Sequence, residues 1–313
     1  MNHEPDHEPD HEPDHESDHE SDHEPAHGLT RGPAHAPISS LQEVMINTLG
    51  EDGVSFIEEG GGYPEITPQE YLVALLTPEN VVGNIRYAMR LLGILTGRNG
   101  KRNGTSHERN EIDTIIVPGY ASRNNSFVQL TEDLQDRDIP SRRMDTHENL
   151  RLVRPFTTAE SADALRKSIE RSTSQKVNLV CHSMGGIVAL VACSQLEAKT
   201  REKVGRIVTL GTPWKGTPMA KALGLLKRDG ALRELSPGSE VLIEKLPMIG
   251  ADIREKTVSI GSVHDLIVPW RSSILNGAML NAVLRRDKAV THANFLHSGN
   301  VAQVVADILK AAG

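Results

Sequence analysis

A serine hydroxyl attacks a carbonyl at neutral pH only if the chain presents it and a neighbouring base takes its proton. Residues 177–186 read V-N-L-V-C-H-S-M-G-G: an apolar, β-prone run ends on Cys181-His182-Ser183, and a helical apolar pattern begins at once with Met184, Ile187 and Val188. A strand that turns directly into a helix through a serine predicts a strained elbow with the hydroxyl exposed at its tip. Small neighbours are needed so that adjacent backbone can pass closely. Gly185 supplies the downstream glycine of G-x-S-x-G, while Cys181 stands at the upstream position.

The base must be a histidine whose tautomer a carboxylate fixes. Asp265 follows the apolar run 257–260 through Gly261-Ser-Val-His264 and precedes Leu266-Ile-Val-Pro269, which predicts an acid on a loop beyond a strand. Two histidines compete for the base, His292 in T-H-A-N-F-L and His297 five residues later, and spacing leaves both open. His182 adjoins Ser183, where a sharp elbow points successive side chains apart; His264 is placed to structure the acid loop. The tetrahedral intermediate needs two aimed N–H donors. The Met184 amide at the helix start is one. The other is expected from the loop after the strand 114–117, where Gly119 allows close approach and Tyr120 offers its backbone amide. This chemistry requires no metal and no organic cofactor.

The flanking pattern supplies elements to hold these residues. Strands are predicted at 114–117, 177–181, 207–210 and 257–260, with a weaker one at 150–153. Helices carry Phe127, Leu130 and Leu134, then Ala162, Leu165 and Ile169 behind a Thr157/Glu160 capping box, and finally residues 301–309. Such alternation predicts an α/β fold with a mostly parallel central sheet flanked by helices. Upstream, a helix is expected near 40–49, a loop over 50–63, and two helices over 67–76 and 77–97, the second with Arg86 and Arg90 near an apolar stripe. Residues 98–111 read as loop. Leu225, Leu226, Leu242, Leu246 and Met248 are placed either to border an acyl pocket or to pack a short insertion.

The formal charge of -8 over 313 residues is misleading. Residues 1–28 hold 11 acidic residues and no Lys or Arg, so the 34 basic residues of the remainder face 31 acidic ones. A nearly neutral folded part gives no reason to expect nucleic-acid binding. The tail repeats His-Glu-Pro-Asp, with proline at most fourth positions and almost nothing apolar, which predicts disorder. Its seven histidines, His3 to His27, lie beside carboxylates. A solubilising acidic spacer is the favoured reading, with weak Zn²⁺ or Ni²⁺ binding as the alternative. Cys181 and Cys193 are expected reduced and buried, without a disulfide framework. No secretory signal pattern and no bilayer-length apolar run is present, so a cytoplasmic location is the default expectation, with non-standard secretion as the exception.

Six segments in order carry a resemblance: V-P-G-Y at 117–120, C-H-S-M-G-G at 181–186, L-G-T-P-W-K-G-T at 210–217, L-S-P-G-S-E at 235–240, D-L-I-V-P at 265–269 and H-A-N-F-L at 292–296. The chain resembles bacterial serine esterases and lipases of the α/β-hydrolase superfamily, with affinity to class 2 lipases and PGAP1-like hydrolases. The resemblance covers roughly residues 114–309. It implies the α/β-hydrolase fold, Ser183 as nucleophile, Asp265 as acid, His292 as base, and Tyr120 and Met184 as oxyanion-hole amides. It also implies ester or lipid substrates; acyl transfer, thioester or amide cleavage, and a non-catalytic binding module are the rival readings. The family pattern departs at Cys181, where glycine is common, and at Pro118, where many relatives have histidine. The organisation read from these features is a tail and linker over 1–36, an N-terminal helical segment and loop packing on the core over 37–110, and an α/β-hydrolase domain over 111–313.

Overall fold

The structure is a computed structural model and describes residues 37–59, 61, 81, 112–120, 122, 124–144, 157–227, 229–285 and 290–311. The repeat tail, the helices expected over 67–97, the loop over 98–111 and the strand expected at 150–153 lie outside the described residues.

The apolar runs pair into one sheet. Its strands are β1 (Val54–Ile57), β2 (Ile112–Val117), β3 (Ser141–Arg143), β4 (Lys176–His182), β5 (Val204–Leu210), β6 (Thr257–Ser262) and β7 (Leu280–Leu284), in the order β1-β7-β6-β5-β4-β2-β3. All neighbours are parallel except β1, which runs antiparallel to β7 in the register Val54↔Leu284 to Ile57↔Asn281. This is a mostly parallel central sheet flanked by helices, as the strand–helix alternation predicts.

Strand alternation sends side chains to two cores. Ile115, Val117, Val177, Leu179, Cys181 and Ile207 face one, together with residues of α3 (Thr158–Glu170) and α4 (Met184–Ser194). Ile116, Val180, Val208, Val258 and Ile260 face the other, with α1 (Ile38–Leu49), α2 (Val128–Gln135) and the last helix, Gly299–Lys310. On α1, Leu41, Met45 and Leu49 recur every four residues and are fully or nearly fully buried. Each such side chain contributes about 1.5–3 kcal/mol relative to exposure. The capping box at the start of α3 is formed: the Glu160 amide donates to Thr157 Oγ1 and the Thr157 amide to Glu160 Oε2.

Three strands depart from the sequence reading. Residues 54–57, expected as loop, form β1, because four residues suffice to extend an edge when β7 offers a partner. Residues 140–155 were read as a strand at 150–153 and loop, yet the strand among the described residues is the polar β3. Its Arg142 forms a bidentate pair with Asp113 of β2 at 2.9–3.2 Å, so a charge pair stands where an apolar run was sought. β7 was not anticipated. A short helix, α5 (Ala198–Glu202), precedes β5; between β5 and β6 the chain inserts α6 (Pro218–Lys227), α7 (Gly230–Glu234) and α8 (Ala251–Arg254), the last leading into β6. With these, the last helix is α9. No described helix is long and apolar enough to cross a membrane.

Candidate active site

The elbow forms as its sequence requires. Ser183 sits between the end of β4 and the first residue of α4 at φ 56°, ψ −126°. A non-glycine residue there stores about 1–3 kcal/mol of strain and persists only when neighbours over-determine it. Three hydrogen bonds do so. The Ser183 amide donates to the Leu210 carbonyl at 2.9 Å, the Gly186 amide to the Ser183 carbonyl at 3.2 Å, and the Thr212 hydroxyl to that same carbonyl at 2.9 Å. The L-G-T-P-W-K-G-T segment is thus the brace of the elbow. Its Trp214 indole donates to Ser259 Oγ on β6 at 2.9 Å, and the Thr217 hydroxyl donates to the Ile267 carbonyl in the acid loop.

Two glycines let the 118–120 loop close on Ser183. A Cβ on Gly185 would stand 2.5 Å from the Val117 carbonyl oxygen and 2.9 Å from that of Pro118. One on Gly119 would stand 2.7 Å from Ser183 Cβ. The 118–120 loop and the elbow therefore meet backbone to backbone. Met184 opens α4, so its amide belongs to the helical turn whose N–H groups have no intrahelical acceptor. Tyr120 is buried, and its phenol donates to Asp229 Oδ2 at 2.7 Å.

The acid and one of the two competing histidines come together. His292 Nδ1 donates to Asp265 Oδ2 at 2.6 Å, with both residues buried. Asp265 Oδ1 accepts the amides of Ile267 at 3.0 Å and Val268 at 2.8 Å, which fixes the carboxylate's rotamer. With its proton on Nδ1, the imidazole carries its lone pair on Nε2. The pair lies over Gly211, the residue after the Leu210 that holds Ser183: a Cβ there would be 2.9 Å from Asp265 Oδ2 and 3.2 Å from His292 Nδ1. His297 stands elsewhere. It is exposed, and its Nδ1 pairs with Gln129 Oε1 of α2 at 3.0 Å. His264 is buried in the acid loop, where its amide donates to Ser262 Oγ at 3.2 Å.

His182 has a role that sequence reasoning did not find. Its Nε2 donates to the His292 carbonyl at 2.8 Å, and the two rings lie 4.7 Å apart. Burial, reinforced by the neighbouring His292, holds this imidazole well below the ordinary histidine range, so it is neutral. The partners are 110 positions apart in the chain; no local signal carries such a contact. Thr212 and Asp229 were likewise missed. Both thiols are buried, and burial pushes Cys193 up to about 12 and Cys181 well above its usual value, which keeps them protonated and unreactive.

A cavity of about 460 Å³ opens between α6 and the acid loop, lined by Thr217, Pro218, Met219, Ala222, Leu223, Leu266, Ile267 and Pro269. Of the residues placed either to border an acyl pocket or to pack a short insertion, Leu242 and Leu246 are buried in the core on the α3–α4 face of the sheet, and Met248 is 85% exposed. The side chains of Leu225 and Leu226 lie outside the described residues.

Residues 157–236, from the cap of α3 through Ser183 to α7, match the PGAP1-like alpha/beta domain family. No curated protein matches the chain. Among solved structures, the chain is similar to a metagenomic carboxyl esterase (13% identity, TM-score 0.49, 69% of this chain and 79% of that one). It is similar to the mature form of a Bacillus licheniformis lipase (16% identity, TM-score 0.49, 66% and 96%). A lipase-esterase related protein from Clostridium acetobutylicum aligns at 15% identity with TM-score 0.44, over 66% and 98%.

Proposed function

We propose that this α/β-hydrolase-fold chain is a serine carboxylic-ester hydrolase that works through an acyl-enzyme. The observation that carries the reading is the buried Asp265–His292 hydrogen bond beside an elbow that strains Ser183. His292 Nε2 takes the Ser183 proton as Oγ attacks the ester carbonyl carbon, and the carbonyl π electrons move onto oxygen. The Tyr120 and Met184 amides stabilise that oxyanion. When the tetrahedral intermediate collapses, the C–O bond to the alcohol breaks and the imidazolium protonates the departing oxygen. Water then repeats the attack on the acyl-enzyme, with His292 again as base, and releases the carboxylic acid and Ser183. Asp265 holds the imidazole in the tautomer that leaves Nε2 basic and stabilises the cation that forms.

The cavity supports an apolar acyl group as the preferred substrate portion. Its lining side chains are apolar apart from Thr217, whose hydroxyl is already committed to the Ile267 carbonyl. Leu266 and Ile267 follow Asp265 directly, so the same loop carries the acid and part of the wall.

The test is hydrolysis of p-nitrophenyl esters of increasing chain length, with Ser183→Ala as background and added acceptor alcohols, thioesters and amides as competitors. The expected result is turnover that requires Ser183, rises from acetyl to medium chains, and is accompanied by labelling with a fluorophosphonate. A folded protein that neither labels nor turns over any ester would overturn the hydrolase reading. Faster transfer to alcohols than to water would reassign it to acyl transfer.

A further inference from the structure

The insertion after β5 reaches the oxyanion side of the site through one side-chain bond. Asp229 divides its carboxylate: Oδ2 accepts the Tyr120 phenol at 2.7 Å, and Oδ1 accepts the amides of Ala231 at 2.9 Å and Leu232 at 3.3 Å, capping α7. The other end of α7 is also tied, because Glu234 Oε2 accepts the Thr158 amide at the start of α3 at 2.7 Å. The acceptor that holds Tyr120 is therefore anchored at both ends of its helix. Tyr120 itself is 5% exposed, and the preceding Gly119 packs directly on Ser183.

We propose that Asp229 is a positioning residue for the reaction: by holding the Tyr120 phenol, it fixes the Tyr120 amide in register with the oxyanion that forms on Ser183's substrate. The inference rests on the serine-hydrolase reading above. A hydrogen bond to a carboxylate is shorter and stronger than one between neutral groups. It grips the ring at the point farthest from the backbone, so it resists tilting of the whole residue. An oxyanion donor works only when it is aimed beforehand at the developing charge. A loosened Tyr120 consequently weakens transition-state binding while leaving substrate binding intact.

The experiment uses the full chain and a p-nitrophenyl ester whose acylation limits turnover. Tyr120→Phe keeps the ring and the amide but removes the phenol. Asp229→Ser keeps a good helix cap but is too short to reach the ring. Asp229→Asn can cap through its oxygen and offer its NH₂ to the phenol oxygen. Tyr120→Phe and Asp229→Ser are each expected to lower kcat about tenfold with KM within about twofold, the signature of an interaction made in the transition state. The double variant should be no slower than the slower single, since both cut one bond, and Asp229→Asn should recover most of the rate. Fluorophosphonate labelling should slow in parallel with kcat.

The proposal falls if Tyr120→Phe leaves kcat within twofold of wild type. It also falls if the two single losses multiply in the double variant, or if the effect lies in KM or thermal stability alone. Should Asp229→Ser fail to fold, Tyr120→Phe and Asp229→Asn still decide the matter. Wild-type turnover and its loss in Ser183→Ala check the underlying reading separately. With those intact and the pair variants silent, only the positioning role is lost.

Discussion

The elbow and the insertion that follows β5 lie on the same side of the sheet but are held by different means. Around Ser183 the contacts are backbone on backbone: strand ends, two close-packed glycines and a carbonyl that accepts from both Gly186 and Thr212. The insertion is a chain of short elements, α6 to α8, with Ile243 and Met248 58% and 85% exposed, joined to the rest through side chains such as Asp229 and Glu234. Backbone packing cannot be adjusted residue by residue, whereas a side-chain tie can be cut or restored by one substitution. The groups proposed to react sit on the fixed part, and the apolar wall of the cavity comes partly from the adjustable part. Under the proposed function, substrate range can therefore change through α6 without disturbing the chemistry.

The largest effects are expected where the fixed region carries protons. His292→Ala should lower kcat by about a thousandfold or more, while His297→Ala, which breaks a surface pair with Gln129, should remain near wild type. Asp265→Asn should come close to the first. Its oxygen can still accept the Ile267 and Val268 amides, so the loop survives, but its NH₂ then faces His292 Nδ1 and favours the wrong tautomer. Steady-state rates on one activated ester, with circular dichroism on each variant, make the comparison. A severe loss in His297→Ala alone would exchange the two roles.

A medium effect separates the two regions directly. Gly185→Ala places a Cβ 2.5 Å from the Val117 carbonyl oxygen, which cannot move without shifting β2 and the Tyr120 loop. Overpacking of this kind costs about 1–3 kcal/mol, and kcat should fall with it because the serine and the oxyanion loop are pushed apart. Gly224→Ala in α6 is the counterpart: its nearest contacts would be 3.5 Å away, in ordinary van der Waals range. That substitution should stabilise by about 0.4–1 kcal/mol, through helix propensity and a less flexible unfolded chain. Urea unfolding of both variants measures the difference. Equal shifts in the two would mean that the contrast between the regions is not one of packing.

The parts of this arrangement that were legible in the sequence are those whose cause is local. Ser183 stands at a change of period from strand to helix, and Thr157 with Glu160 announces a cap within four residues. Asp265 was placed by the strand before it, and His292 was preferred over His297 chiefly through the family pattern, since both fit the chain order. The edge strands were opaque for physical reasons: β1 is only four residues long, and β3 reads Ser-Arg-Arg, its stability resting on the Arg142–Asp113 pair rather than on an apolar stripe. The supports of the site were opaque because they span the chain. His182 reaches His292 across 110 positions and Tyr120 reaches Asp229 across 109, and neither partner carries a local mark of the other.

The last predicted effect concerns His182; it vanishes at neutral pH and appears only on the acid side. Burial holds its folded-state pKa well below the ordinary value of 6.5, and the neighbouring His292 pushes the same way. Above about pH 6.5 neither folded nor unfolded chain protonates this ring, so it contributes no pH dependence. Below that, the unfolded chain takes up a proton that the folded chain refuses, and stability falls by about 1.4 kcal/mol per pH unit until the depressed folded value is reached. His182→Gln replaces the imidazole with an amide whose NH₂ can still donate to the His292 carbonyl, removing the titration while keeping a donor. Unfolding in urea at pH 7.5, 6.0 and 5.0 should show the wild type losing stability faster than this variant, with the gap opening only on the acid side. The carboxylates are common to both proteins and cancel in the difference. Parallel curves down to pH 5.0 would mean that His182 accepts a proton without leaving its place, and that burial does not hold it neutral.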